Sequence, residues 1–144
     1  MNVKFVKLKP EAKTPTRGSD YAAGYDLYAT CDHYVKIAPG ETKMIGTGLS
    51  IQPPEGYFGA IFARSGLATR QGLRPANCVG VCDEDYTGEY IVAMHNDSSE
   101  EQIIYHGDRI AQLVFMHYLS VEFEEVESLD ETDRGSCGFG STGK

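Results

Sequence analysis

Asn77-Cys78-Val79-Gly80-Val81-Cys82-Asp83-Glu84-Asp85-Tyr86-Thr87-Gly88, running on into Glu89-Tyr90-Ile91-Val92-Ala93-Met94, is the stretch whose reading decides the fold. Its two ends are rich in β-branched and apolar residues, and its middle holds Asp, Tyr and a closing Gly. That pattern predicts a β-hairpin with its turn at Asp85 to Gly88. A plain turn needs one Asp and the Gly. Here Asp83 stands two residues before Asp85, on the strand side of the turn, where ladder geometry would fix a carboxylate. Tyr86 offers a flat apolar ring beside it. A rigid carboxylate next to an aromatic platform suits activation of water against a bound, ring-bearing substrate. A solvated acidic turn is the simpler account of these residues alone.

Outside that stretch the chain punctuates itself often. Glycine makes up 16 of 144 residues, about 11% against roughly 7% on average, and there are nine Tyr. Short alternating runs between turn signals predict strands at Met1–Leu8, Tyr21–Ala29, Val35–Ile37, Met44–Ile51, Tyr57–Ala63, Gly107–Phe115 and Val121–Val126. Gly46 and Gly48 mark a bulge or a close backbone approach in the fourth of these. Strands at this spacing predict an all-β domain, a sandwich or jelly roll. The chain's length suits one domain with a true core. One short helix is expected over Ala63–Gly72, with Ser65 as N-cap and Gly72 as the C-terminal stop. A helix start beside Arg64 is a natural phosphate seat, although most Ser caps bind nothing. Asp26 is read either as inward-pointing or as a surface Asp on a half-buried strand. Gln112 interrupts an apolar run, so it is satisfied by backbone or turned toward a ligand.

The net charge of −8 argues against a nucleic-acid polymer as partner, since such binding is built on a basic face. A small phosphorylated ligand fits if a few arginines converge or a divalent cation bridges. The N-terminus lacks an apolar leader and no stretch approaches 18 apolar residues, so neither a signal peptide nor a membrane span is expected. The four Cys lack metal-type spacing and are read as reduced thiols of an intracellular, soluble protein.

The composition changes near the C-terminus. Seven acidic residues lie between Glu122 and Asp133, and then come four glycines in the eleven residues Arg134 to Lys144. Such a segment cannot pack a core element. Its Arg, lone Phe and hydroxyls fit a flexible arm that closes over an anionic ligand. The chain is therefore divided into a β domain over 1–128 and an arm over 129–144.

Five segments, in order and one copy each, resemble the five motifs of the trimeric dUTP pyrophosphatases (dUTPases). They are Ala23-Gly24-Tyr25-Asp26-Leu27, Arg64-Ser65-Gly66-Leu67-Ala68, Gly80 to Gly88, Gly107-Asp108-Arg109-Ile110-Ala111-Gln112, and Arg134 to Gly143. Cys82 departs from the family, which usually has Ile before the catalytic Asp; a small hydrophobe there implies looser packing with the chemistry intact. The resemblance implies a distorted jelly roll, a homotrimer with active sites between subunits, and hydrolysis of dUTP to dUMP and pyrophosphate. That reaction keeps uracil out of DNA and supplies dUMP for thymidylate synthesis. By position, Asp83 would be the base that deprotonates water for attack on the α-phosphorus. Tyr86 would lie under the deoxyribose, while Asn77 and backbone near Gly80 and Ile91 would read the uracil edge. Arg64, Ser65, Gly66 and Gln112 would hold phosphates from other subunits, and Asp26 would support them. Arg134 would take the γ-phosphate, Phe139 would stack over uracil, and Gly140, Ser141 and Thr142 would wrap the phosphates. Mg2+ would be held by substrate phosphates and water, with no direct protein ligand. The rivals are a dCTP deaminase of the same fold, which lacks the Gly-rich tail motif, and a non-catalytic β-sandwich binding or coat module.

Overall fold

A computed structural model describes residues 2–77 and 79–138. Its elements in chain order are β1 (Lys4–Lys7), β2 (Thr16–Arg17), β3 (Tyr25–Tyr28), β4 (Tyr34–Ile37), β5 (Thr42–Gly46), β6 (Leu49–Gln52) and β7 (Tyr57–Phe62). They continue with helix α1 (Ser65–Gln71), β8 (Leu73–Pro75), β9 (Gly80–Cys82), β10 (Ile91–Asn96), β11 (Gln102–Tyr105) and β12 (Arg109–His117). The largest sheet runs β2-β3-β12-β7-β9, and a second runs β5-β10-β8. The pairs β1-β6 and β11-β4 complete the β architecture, and every described pairing is antiparallel. This is the β-rich, jelly-roll type of fold with one short helix that the turn-dense sequence predicts.

Between the sheets lies an aliphatic core in which Leu27, Ile45, Leu49, Met94, Ile110 and Leu113 are almost wholly removed from water. Burial on this scale supplies the main force holding the sheets together. Three polar side chains, Thr30, Thr47 and Asn96, are buried with this core and all are hydrogen-bonded, Thr30 Oγ1 donating to the Thr47 carbonyl at 2.8 Å. Thr47 Oγ1 donates to the Tyr90 carbonyl at 2.7 Å. The Asn96 amide donates to the carbonyls of Ile37 at 2.9 Å and Glu100 at 2.8 Å, and its oxygen accepts from the Ser98 N–H and hydroxyl. Four bonds on one buried amide pin β10 to the end of β4 and to the loop before β11.

Several expectations need correction. The arms of the expected hairpin do not pair with each other: β9 joins β7 in one sheet, while β10 joins β5 and β8 in another. β10 is paired with β5 along Ile91–His95 and with β8 over Met94–Asn96, while β9 takes its ladder from β7. The turn itself is displaced to Asp83–Tyr86, closed by the Tyr86 N–H on the Asp83 carbonyl at 3.2 Å. The stretch Met44–Ile51 divides into β5 and β6 around Thr47-Gly48, with Gly48 at φ +68. No strand forms over Val121–Val126. Phe123 is 98% exposed there, because an alternating run cannot become a strand without a sheet edge to pair with. Helix α1 stops at Gly72 in the left-handed region as expected, but its N-cap is Arg64, not Ser65, and makes no side-chain capping bond.

Candidate active site

The sequence-derived residues gather in two places. The first is a cleft of about 240 Å3 lined by Gly24, Asp26, Arg64, Ser65, Gly66, Arg109 and Gln112, among others. Asp26 on β3 faces Gln112 on β12 directly across the ladder. Its carboxylate is 13% exposed and is shared between Arg64 Nε at 2.9 Å and Arg109 Nη1 at 3.2 Å. Asp26 is half-buried on the face of β3 opposite Leu27 and lines the cleft. Arg64 also donates to the Arg109 carbonyl at 3.3 Å. Gln112 Nε2 donates to the Ala63 carbonyl at 2.9 Å, which holds the exit of β7 against β12. Gln112 thus satisfies itself on backbone and still borders the cleft. Its side chain lies so close over Gly24 that a Cβ there would come within 2.5 Å of the amide oxygen. A larger residue at that point of the wall would have to displace the Gln112 amide.

The start of α1 follows from these contacts. Arg64 is extended at φ −84, ψ 123, with its guanidinium engaged, and the helix begins at the next residue. Ser65 is therefore not consumed as a cap. Its hydroxyl makes no hydrogen bond among the described residues and lies exposed at the cleft edge.

The second place is the acidic turn, over a hollow of about 730 Å3 lined by Gln52, Phe58, Val81, Asp83, Glu84, Asp85 and Tyr118. Asp83 is exposed, and its carboxylate has no hydrogen-bond or ion-pair partner among the described residues. Tyr86 is anchored: its hydroxyl donates to the Glu89 carbonyl at 2.9 Å, and its ring tilts toward Tyr90 at 6.1 Å between centroids. The ring crosses Gly88 so closely that a Cβ there would lie 2.5 Å from the hydroxyl. Gly80 is buried against Ile61 with the Asn77 amide close by, and Asn77 and Ile91 are exposed. Since β9 is an edge strand, one row of its backbone groups is unpaired.

Cys82 is 7% exposed and packs in the core, and burial pushes its thiol up to about 11. Burial also raises Tyr90, whose hydroxyl has no regular hydrogen-bond partner; the thiol beside it is a weak one. Cys31, Cys82 and Cys137 are free thiols. Arg134 is exposed, and its Nε donates to the Cys137 carbonyl at 3.0 Å within a local turn. Phe139, Gly140, Ser141 and Thr142 lie outside the described residues. A third hollow, of about 440 Å3 and lined by Val3, Phe5, Tyr25, Tyr57 and Phe115 among others, contains no charged side chain and none of the sequence-derived site residues.

Sequence reasoning did not single out Arg109, Glu84 or Tyr118. Strict period-2 alternation places 109 and 112 on opposite faces. A register shift between Arg109 and Ala111 leaves Ile110 and Ala111 both buried and brings Arg109 round to Asp26. No helix is long and apolar enough to cross a membrane among the described residues.

A family model described as dUTPase matches residues 10–143. A deoxyuridine 5'-triphosphate nucleotidohydrolase of Desulfitobacterium hafniense is 46% identical, with 99% of this chain and 95% of that protein covered. The enzyme of the same name from Corynebacterium glutamicum is 48% identical over 99% of this chain and 95% of its own length. Among solved structures, a dUTPase mutant of Staphylococcus bacteriophage 80alpha with dUpNHpp superposes with a TM-score of 0.90 at 26% identity, covering 99% of each chain. The match along nearly the whole chain, together with the arginine cleft and the acidic turn, shows that this protein belongs to the dUTPase family of nucleotide-hydrolysing enzymes.

Proposed function

We propose that the chain hydrolyses dUTP to dUMP and pyrophosphate, with Asp83 as the base that takes a proton from the water attacking the α-phosphorus. The observation that carries this reading is the state of the Asp83 carboxylate: exposed, unpaired, and next to a tyrosine ring locked in place from both sides. Phosphoryl chemistry needs positioning and charge neutralisation more than covalent help. A base with no partner of its own can accept a proton as soon as a substrate aligns the water.

The separation of β9 from β10 supports the assignment of the uracil site. Had the two arms formed a ladder, their backbone donors and acceptors would be spent on each other. The free edge near Gly80, with Asn77 and Ile91, offers those groups to a flat base edge. Such a site rejects a wrong edge because its own polar groups would be left buried and unpaired. Tyr86, held over Gly88, would form the wall that excludes a ribose hydroxyl.

In the other cleft, Arg64, Arg109, Gln112 and the free Ser65 hydroxyl offer donors suited to phosphate oxygens. The two sets of lining residues have no member in common. A homotrimer in which the cleft of one subunit meets the turn of its neighbour would join them into one site. The 129–144 arm, with Arg134 toward the γ-phosphate and Phe139, Gly140, Ser141 and Thr142 over the nucleotide, would then close on it.

Mg2+ is read as carried by the triphosphate and its waters, with no direct protein ligand. When bound, Mg2+ supplies neutralisation of phosphate charge, which suits an acidic protein taking an anionic ligand. The test is pyrophosphate release with dUTP, dCTP, TTP, dATP, dGTP and UTP. Release from dUTP alone is expected, and ammonia from dCTP would overturn the reading.

A further inference from the structure

Glu84 lies between the two aspartates of the turn, yet it alone of the three carboxylates is bound by the fold. Its Oε2 accepts the Gly56 N–H at 2.8 Å and the Tyr118 hydroxyl at 2.8 Å. The Tyr118 N–H in turn donates to the Gly56 carbonyl at 3.2 Å, so three segments meet in a closed triangle. Two of its corners are firm. Gly56 immediately precedes β7 and Tyr118 immediately follows β12, and the neighbouring Tyr57 and His117 are ladder partners whose rings meet edge to face at 5.1 Å. The acidic turn has few other ties to the body. Its remaining bonds are the internal Tyr86 N–H to Asp83 and Tyr86 hydroxyl to Glu89, with the Ser50 hydroxyl reaching the Thr87 carbonyl at 2.8 Å.

We propose that Glu84 is a positioning residue for the hydrolysis: tied to Gly56 and Tyr118, it sets the height of the Asp83–Tyr86 turn and thereby the place of the Asp83 carboxylate. This inference rests on the reading of Asp83 as the base. The Tyr118 hydroxyl, and after it the Gly56 N–H, hold the Glu84 carboxyl below the usual carboxylate range, so it is ionised at neutral pH. Both bonds are then charge-assisted, roughly twice as strong as neutral ones. The anchor matters because a misplacement of about 1 Å at a reacting group can lower turnover on the order of 10²-fold. Glu84 touches neither water nor phosphate in this account; it acts through its neighbour.

Steady-state kinetics of pyrophosphate release from dUTP with Mg2+ test this in the full chain, alongside thermal melting. Glu84→Ala is expected to lower kcat roughly 10- to 100-fold while KM for dUTP stays within about threefold. Glu84→Gln, whose amide oxygen can accept both bonds without the charge, should recover most of that loss. Tyr118→Phe removes one oxygen and should lower kcat by about threefold or more. The double variant Glu84→Ala/Tyr118→Phe should be no slower than Glu84→Ala, since both changes break the same bond. A role confined to stability predicts lowered melting with kcat intact, and that result overturns the proposal. So does strict additivity of the two changes. If Glu84→Ala does not fold, Tyr118→Phe decides alone. An inactive wild-type protein would sink the hydrolysis reading and this inference together, whereas an active wild type with full kcat in Glu84→Ala sinks the inference only.

Discussion

The arginine cleft and the acidic turn both present carboxylates, and the two are treated in opposite ways. In the cleft, Asp26 is nearly buried and grips two guanidiniums at 2.9 and 3.2 Å. In the turn, Asp83 is exposed and unpaired, and the fold has instead clamped its neighbour Glu84. On the proposed function, the contrast separates holding from acting. A carboxylate that has spent its lone pairs on arginines orients them for an anion. One left without donors is available to take a proton, provided something adjacent keeps it in place. The same division applies to the aromatic and hydroxyl groups: Tyr86 is fixed by Glu89 and Gly88, while Ser65 is left free at the cleft edge.

The sharpest way to break this contrast is Asp83→Asn. Turnover of dUTP should fall by about 10³-fold, while calorimetry with non-hydrolysable dUpNHpp shows affinity retained. Retained turnover would reduce the turn to a solvated acidic loop. Next is Arg64→Ala, expected to lower kcat/KM on the order of 10²-fold. If cleft and turn of different subunits form one site, mixing and reassembling this variant with Asp83→Asn should restore activity that neither has alone. Failure to complement would place both halves in a single chain. A variant ending at Asp133 should keep its fold and oligomeric state by circular dichroism and light scattering, yet lose roughly 10- to 100-fold in kcat. Unfolding of that truncation would contradict a separate arm. Tyr86→Ala should erode the preference for dUTP over UTP by about tenfold, read as the ratio of kcat/KM values. The smallest effect belongs to the paired carboxylate. Asp26→Ala should cost about 1–2 kcal/mol in urea unfolding at an unchanged slope, because it leaves Arg64 without its partner at a partly solvated site. An effect on kcat as large as that of Asp83→Asn would erase the distinction between the two carboxylates.

The residues proposed to carry chemistry can be picked out without coordinates. Asp83 beside a tyrosine, Arg64-Ser65-Gly66 at a helix start, and Gln112 within an apolar run are all local statements about residue type and spacing. The β class was equally plain from turn signals and alternation. What failed was of another kind. The arms around the acidic turn were expected to pair with each other, and Val121–Val126 was expected to be a strand, because alternation reports only that a segment can pair. It does not report which edge is vacant. Ser65 was read as a cap from its type, but the ion pair of Arg64 with Asp26, 38 residues away, fixed the helix start instead.

Residue order by itself therefore determined the turns, the apolar faces and the chemical inventory, all of which depend on near neighbours along the chain. Tertiary structure decided partnership. β10 took β5 and β8 as its partners and β9 took β7, so the backbone groups that a hairpin would have consumed are not spent between the two arms. One irregular register at Arg109–Ala111 swung an arginine into the cleft, and a glycine and a tyrosine from distant segments anchored Glu84. Competition for edges and for a few buried hydrogen bonds is settled only when the whole chain has closed on itself. No local pattern encodes its outcome.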